Sequence, residues 1–431
     1  MKQIAILFLV TFLFNAAFSQ WKQNEFVIGT FADPRISVNN DIAKDSLSYV
    51  KARNAYINFL TGPQYYMGSR DFSMMDRTLK LAQKFNMQLL VIDSRMRIAD
   101  SSFNADTAMK IISHFKSLNS KAFAGYYLIG EVPQKYVSQV NQWTAFFKKN
   151  DPGKLAYYYL LPYYAFNSKS SYEVYVNSLT SNPQTSSDVV SFDYYPFTKN
   201  GSVRNSFFYS LNYLSNAAGS RPFWSYILST SNSNLPDPTQ YQLNFSVFCS
   251  LAYGAKGIIY FTYEPIPSKN GGNFGDAILD ANGNPTKKYT YIKAINEYVT
   301  KVLGPVIMNS TRIGTYHVSA NSNNETIDKT QLLSSSSKGI ETANMNILIG
   351  VFKSKNSAAT YLLLVNKDSN SLNNVSFTVP ENIAGTLKVY PRMGQLSSSV
   401  GPNILAGKFN SGKTTFTIDN FSPGEAILVT Y

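Results

Sequence analysis

The sequence predicts a parallel α/β barrel followed by an antiparallel β-sandwich, and three observations carry that prediction. Strand-like apolar runs alternate with helix-spaced patterns from Phe26 to Leu303. Eight such units over about 280 residues match a (β/α)8 TIM barrel, which takes about 250. Most of the apolar runs end in polar or acidic residues, as strand tips at a barrel mouth do. Past Gly304-Pro305 the helical spacing stops, and short apolar runs separated by turn residues take over.

The first strand is Phe26–Phe31, closed by Ala32-Asp33-Pro34-Arg35. Helix-spaced Asp41–Ala52 follows, then a second strand, Ala55–Leu60, ended by Thr61-Gly62-Pro63. Met75, Leu79, Leu81 and Ala82 mark a helix over Phe72–Phe85, before a strand at Gln88–Asp93 and a helix at Ala105–Leu118. The fourth strand is the stretch AGYYLIGEVP, Ala124 to Pro133, whose aromatic and aliphatic run breaks at Gly130 and delivers Glu131 at its tip. Helix Tyr136–Lys148, strand Leu155–Tyr163, helix Tyr172–Leu179 and strand Asp188–Phe197 continue the rhythm. Helix Val203–Ala217, strand Pro222–Ser229, helix Thr239–Tyr253, strand Lys256–Tyr263 and helix Tyr291–Leu303 complete it. The sandwich strands are read at Ile347–Phe352, Thr360–Val365, Leu387–Tyr390, Thr414–Ile418 and Ala426–Tyr431.

Composition bounds the function. With 431 residues, 44% hydrophobic and 15% charged, the chain has material for a large core. Met1-Lys2, the apolar run Ile4–Phe14 and Ala17-Phe18-Ser19 read as a secretory signal cleaved after Ser19. The expected organisation is a signal peptide at 1–19, a barrel at 20–309 and a sandwich at 310–431. No cysteine follows the cleavage point, so the product is expected to be secreted or periplasmic without a lipid anchor. No later run approaches the ~18 apolar residues of a membrane span.

Cys249 is the one cysteine, so no internal disulfide can form. His114 and His317 lie far apart, which argues against a His-rich metal site and a Ser-His-Asp triad. No metal and no cofactor is expected. The net charge of +13 suits an anionic partner such as an acidic polysaccharide, or solubility alone. Its basic residues are scattered and no nucleic-acid motif accompanies them, so nucleic acid is set aside.

In such a barrel the chemistry sits at the C-terminal strand ends. Those ends carry Asp33 and Arg35, Asp93 and Arg95, Glu131, Asp193 with Tyr195, Ser229 to Asn232, and Glu264. Aromatic residues crowd the same positions: Tyr65, Tyr66, Tyr127, Tyr163, Tyr164, Trp224 and Tyr263. Carboxylates among aromatic rings suit sugars, because rings stack on the C–H faces of pyranoses while carboxylates bind hydroxyls and move protons. Glu131 is the first candidate acid, since desolvation beside Tyr126 and Tyr127 raises a carboxyl pKa toward the useful range. It could instead cap the helix that follows.

The segments GYYLIGEVP, DVVSFDYYPF, SLAYGAKGIIYFTY and DANGNPTKKYTYIKAINEYVTKVLGPVI resemble those of secreted bacterial glycoside hydrolases of the clan A barrel type. The closing FSPGEAILVTY is similar to the last strands of the sandwiches that follow such barrels, and Phe18-Ser19-Gln20 resembles the signal ends of Bacteroidota exports. This resemblance implies a carbohydrate substrate, a glutamate acid/base after strand four and a glutamate nucleophile after strand seven. Glu131 matches the first position. The seventh strand, PFWSYILSTSN, has no carboxylate, which leaves two readings.

In one, the chain is a glycoside hydrolase whose Glu131 works with Glu264 or Asp193. Asp33, Asp93, Arg95, Tyr127, Tyr195, Trp224 and Tyr263 then contact substrate. In the other, it is a non-catalytic carbohydrate-binding barrel. Asp193 could equally bind sugar hydroxyls or belong to a rim turn fixed by Pro196, and Glu264 could anchor a loop.

Overall fold

The computed structural model describes residues 20–37, 41–62, 72–96, 98, 103–267, 273–318, 327–332, 341–342, 346–373, 375–380, 387–396, 401–404 and 407–431. The expected signal peptide at 1–19 and the tyrosines Tyr65 and Tyr66 lie outside the described residues.

The barrel runs β1 (Val27–Phe31), α1 (Ile42–Asn54), β2 (Phe59–Leu60), α2 (Ser73–Lys84), β3 (Gln88–Val91), α3 (Ala105–Ser117), β4 (Phe123–Ile129) and α4 (Val137–Asn150). It continues through β5 (Leu155–Tyr158), α5 (Lys169–Thr180), β6 (Val190–Phe192), α6 (Phe207–Ala218), β7 (Phe223–Leu228), α7 (Gln240–Ala252), β8 (Gly257–Phe261) and α8 (Lys287–Tyr298). A π-helical turn, Val299–Leu303, leads from α8 into the short α9 (Gly304–Met308). Side-chain caps start several helices. Asp41 accepts from Lys44 N–H and Asn104 from Thr107 N–H, while Thr239 and Gln242 form a capping box on α7.

The eight strands form one sheet in the order β5-β4-β3-β2-β1-β8-β7-β6, all parallel. Leu160 closes it into a barrel: its N–H donates to Ser191 O at 2.8 Å, and its C=O accepts from Asp193 N–H at 3.1 Å. β6 is much shorter than the Asp188–Phe197 strand read from sequence. The chain leaves the sheet at Asp193 because Tyr194 turns outward to Ser206 Oγ at 2.7 Å, and Pro196 has no N–H to give a ladder.

Alternation along each strand sends one set of side chains into the barrel. That interior is largely aromatic: Phe31, Phe59, Tyr127, Tyr157, Tyr159, Trp224 and Tyr226 pack there with Ile259 and Leu90. Burying one such ring contributes about 2 kcal/mol. Bulk this large needs vacant positions opposite it, and Gly257 supplies one: a Cβ there would meet the Trp224 indole at 2.6 Å. Outward residues such as Leu89, Tyr126, Tyr158 and Ile258 join the helices in a second, larger core.

The sandwich comprises β9 (Ser310–Val318), β10 (Glu341–Thr342), β11 (Ile347–Ser354), β12 (Thr360–Asn366), β13 (Val375–Pro380), β14 (Lys388–Val389), β15 (Asn403–Ile404), β16 (Lys408–Asn410), β17 (Lys413–Ile418) and β18 (Ala426–Thr430). Its antiparallel sheets run β10-β13-β17-β16 and β15-β14-β18-β12-β11-β9. β9 and β13 went unread in the sequence because threonine, serine and arginine interrupt their apolar positions.

The central strands of the larger sheet, β11, β12 and β18, are largely buried on both faces. Ile347, Ile349, Leu362 and Leu364 face the other sheet, while Leu348, Phe352, Leu363 and Leu428 join the barrel core. Helix α7 lies between barrel and sheet, and every residue from Gln242 to Ala252 is buried. β11 approaches it so closely that a Cβ on Gly350 would meet Ala252 O at 2.5 Å.

Candidate active site

Two strands bring Glu131 and Asp193 to the mouth, with β5 between them. On β4 the pairing to β5 slips: Tyr127 opposes Tyr157, but Ile129 opposes Tyr158, so one extra residue is inserted at Leu128. A bulge of this kind re-aims the side chains that follow it. Gly130 then passes over the interior rings, where a Cβ would lie 2.3 Å from the Tyr159 hydroxyl and 2.7 Å from that of Tyr127. Glu131 itself adopts φ 44°, a left-handed conformation that costs a non-glycine residue about 1–2 kcal/mol. Val132 N–H donates to Tyr159 O at 3.1 Å, pinning the segment just after the strained residue.

Asp193 reaches the interior by simple alternation, continuing the inward series of Val189 and Ser191. It is buried, and its Oδ1 has no hydrogen-bond partner among the described residues. Burial, then the charge of Glu131, raises its pKa well above the usual carboxylate range. The Tyr195 hydroxyl is near enough to oppose that rise but does not complete a hydrogen bond, and it too is buried without a partner. Glu131 is exposed at the rim, and the protein mass around it still raises its carboxyl pKa.

Tyr159, absent from the residues singled out in the sequence, stands between the two carboxyls. Its phenol is pushed up by burial and then by Tyr127, Asp193 and Glu131. Tyr164 borders the same carboxyls at the rim with 44% of its surface exposed, and the Arg204 guanidinium sits over its ring at 4.7 Å. Below them the floor is aromatic: Tyr195 meets Phe261 at 5.7 Å between ring centres, and Phe31 meets Phe261 at 5.1 Å and Tyr159 at 6.5 Å.

Three further candidates at the strand ends are engaged with their own neighbours. Glu264 is buried and committed: Arg35 Nε lies 2.6 Å from one oxygen, and Arg35 N–H and Ser48 Oγ donate to the other at 3.2 and 3.1 Å. Asp33 accepts from Thr30 Oγ1 and from Gly62 N–H, both at 2.5 Å, and so staples the end of β1 to the end of β2. Burial lifts its pKa to about 7. Asp93 holds Arg95 in a two-point ion pair, with contacts of 2.8 and 2.5 Å, while that guanidinium covers the Phe72 ring at 4.4 Å.

Two residues expected at the mouth are not there. Trp224 is the second residue of β7 and lies at the opposite end of the barrel. Its Nε1 donates to Gln23 Oε1 at 2.8 Å, and its ring meets Trp21 edge-on at 6.0 Å. Tyr263 points out into the helical layer, where its hydroxyl donates to Ser48 O at 3.0 Å. The β7 tip offers no carboxylate: Ser229 Oγ donates to Thr262 O and Thr230 Oγ1 to Gly275 O, each at 2.9 Å, and Asn232 Oδ1 accepts from the N–H groups of Asn234 and Leu235, each at 2.8 Å. Among the described residues no cluster of His, Cys, Asp and Glu could hold a metal ion, and no helix is long and apolar enough to cross a membrane.

No protein-family model matches the chain, and no curated protein sequence matches it. Solved structures do. A β-galactosidase from G. stearothermophilus aligns with TM-score 0.59 at 8% identity, over 95% of this chain and 98% of its own. A β-galactosidase from Bacillus circulans sp. alkalophilus aligns with TM-score 0.56 at 10% identity, over 94% and 99%. A β-galactosidase from the Antarctic haloarchaeon Halorubrum lacusprofundi gives TM-score 0.50 at 13% identity, over 64% of this chain and 58%, under two thirds, of that one. The likeness is one of fold: a parallel barrel followed by antiparallel sheets, as in these glycoside hydrolases.

Proposed function

We propose that the protein is a glycoside hydrolase that uses Glu131 and Asp193 as its pair of carboxyl groups, with Glu131 as proton donor to the glycosidic oxygen. The observation that carries this reading is the pair itself: two carboxyls of raised proton affinity, one exposed and one buried with a free oxygen, above an aromatic floor. A donor must touch its substrate, and Glu131 is the exposed member. Its raised pKa keeps a proton available closer to neutral pH than an ordinary glutamate would.

Asp193 is favoured over Glu264 as the partner because Glu264 already satisfies Arg35 and Ser48, whereas Asp193 Oδ1 has capacity to spare. Either role of the partner needs Asp193 ionised, so the proton that the free pair favours on the buried aspartate must rest on Glu131 when substrate is bound. Asp193 then attacks the anomeric carbon or activates water, as the separation of the two carboxyls on bound substrate decides. The Tyr164 ring and the Arg204 guanidinium offer a stacking surface and hydrogen-bond donors at the rim. The substrate is a carbohydrate, and the expected export of the protein fits an extracellular oligosaccharide or polysaccharide.

The test is a reducing-sugar assay of purified protein against a glycan panel, beside the Glu131→Gln and Asp193→Asn variants. Product formed by the wild type and reduced at least about 100-fold in Glu131→Gln is the expected result. Equal turnover in that variant would remove Glu131 from the mechanism.

The second reading is a barrel that binds glycans without cleaving them. The engaged hydroxyls at the β7 tip favour it, since the position that carries a nucleophile in clan A enzymes here bonds its own neighbours. Saturable glycan binding with no product after long incubation would support it.

A further inference from the structure

Arg221, Lys256, Arg312 and Lys355 line a cleft of about 450 Å³ at the N-terminal end of the barrel, the end away from Glu131. Arg221 and Lys256 stand just before β7 and β8, Arg312 lies on β9, and Lys355 follows β11, so barrel and sandwich both contribute. No Asp or Glu is among the lining residues, and none of the four cations has a carboxylate partner among the described residues.

The hydrogen bonds of the four are to neutral groups. Arg221 donates to the carbonyls of Thr180 and Ser187 at 2.7 and 3.1 Å, and Arg312 to Asn216 Oδ1 at 2.7 Å. Lys355 donates to Met308 O at 3.1 Å. Lys256 and Lys355 stand close enough that, after burial, the second ammonium is the main cause lowering the proton affinity of the first. Like charges gathered in a concave, partly desolvated place are costly unless an anion joins them. An independent feature points the same way: Ser310 lines the cleft, is 2% exposed, and its Oγ has no hydrogen-bond partner among the described residues.

We propose that this cleft is an anion site that takes a sulfate or phosphate group, held between Lys256, Lys355 and Arg312 with the Ser310 hydroxyl behind it. Two point charges and a planar, multiply donating guanidinium suit a tetrahedral oxyanion of two negative charges. The cleft is far larger than one oxyanion needs, which leaves room for a molecule carrying that group as a substituent. The site is separate from the Glu131–Asp193 mouth, and nothing in it depends on glycoside hydrolysis.

The experiment is calorimetric titration of the full chain with sodium sulfate, and separately with a sulfated tetrasaccharide and its desulfated counterpart, at constant ionic strength. The wild type is expected to bind sulfate saturably, with affinity falling at least ten-fold in Lys355→Gln and in Arg312→Gln. Lys80→Gln, on the exposed face of α2, should leave it unchanged. Lys355 is exposed, so its variant is expected to fold, and without sulfate it should melt no lower than the wild type because a repulsion has been removed. A tetrasaccharide at least ten-fold tighter than sulfate, with no binding by the desulfated form, identifies a substituted glycan as the source. Equal affinities identify the free oxyanion. Sulfate binding with the same affinity in wild type, Lys355→Gln and Arg312→Gln would overturn the proposal.

Discussion

Asp193 lies buried within electrostatic reach of the exposed Glu131, and the charge of that glutamate adds to burial in holding the aspartate's proton. The two groups therefore titrate as a pair. Glu131→Gln removes one of the two causes, so the pKa of Asp193 should fall in the variant. Carboxyl 13C NMR of labelled aspartate, compared between wild type and variant, measures the shift. An Asp193 resonance with the same midpoint in both proteins would show that the carboxyls are independent.

Buried carboxyls of raised pKa reverse the usual response of stability to pH. Asp33 has a pKa of 3.8 as an ordinary aspartate and about 7 in the fold. Below 3.8 both states hold the proton and its stabilising contribution is complete; between 3.8 and 7 only the folded state holds it, so stability falls as pH rises and the contribution is gone above about 7. The difference corresponds to about 4 kcal/mol. Asp193 acts in the same direction. Denaturation by guanidinium is expected to show the wild type losing stability from pH 5 to pH 8, and Asp193→Asn losing less while exceeding the wild type at pH 8. Parallel curves for the two proteins would contradict the assignment.

The left-handed backbone at Glu131 predicts a stabilising substitution that abolishes function. Glycine adopts φ 44° without steric penalty, so Glu131→Gly should gain about 1 kcal/mol, net of the extra chain entropy glycine brings to the unfolded state. Thermal melts report the gain, and the glycan assay reports the loss of turnover. Lower stability in the glycine variant would mean that the carboxylate contributes more to the fold than its conformation costs.

Glu264→Gln separates an anchor from a catalyst. Loss of the Arg35 contact should destabilise the protein by about 1–3 kcal/mol, moderated because 40% of the Arg35 side chain is exposed. Turnover per folded molecule should stay within a few-fold of wild type. A loss on the scale of Glu131→Gln would return Glu264 to the catalytic pair.

At the other end of the barrel, Gly257→Ala should cost about 1–3 kcal/mol, because the added methyl meets the Trp224 indole at 2.6 Å. Trp224→Phe should also destabilise, since Gln23 Oε1 loses its donor. Neither change should alter KM. A KM shift confined to Trp224→Phe would bring this ring into substrate binding.

The barrel was legible because β-strand and helix periodicities alternate cleanly from Phe26 to Leu303, and the tip residues Glu131 and Asp193 follow strands whose ends are marked by Gly130 and Pro196. Which side of the sheet a residue faces was harder to read. Tyr263 lies two residues beyond β8, whose terminal Phe261 still faces inward, yet it points outward. Trp224 lies in a strand correctly read, but at its start. Tyr159 was hidden by composition: in YYYLLPYY every residue is apolar or aromatic, so no alternation singles out the inward one. The bulge at Leu128 and the left-handed Glu131 leave no signal in residue type beyond the adjacent glycine.

Helix α7 has consequences for how this protein could be cut. One side of it completes the barrel wall and the other rests on β11 and β12, so the same thirteen residues serve two interiors. A chain ending at Met308 would bare the side of α7 that β11 and β12 now cover. Such a fragment should clump instead of standing alone.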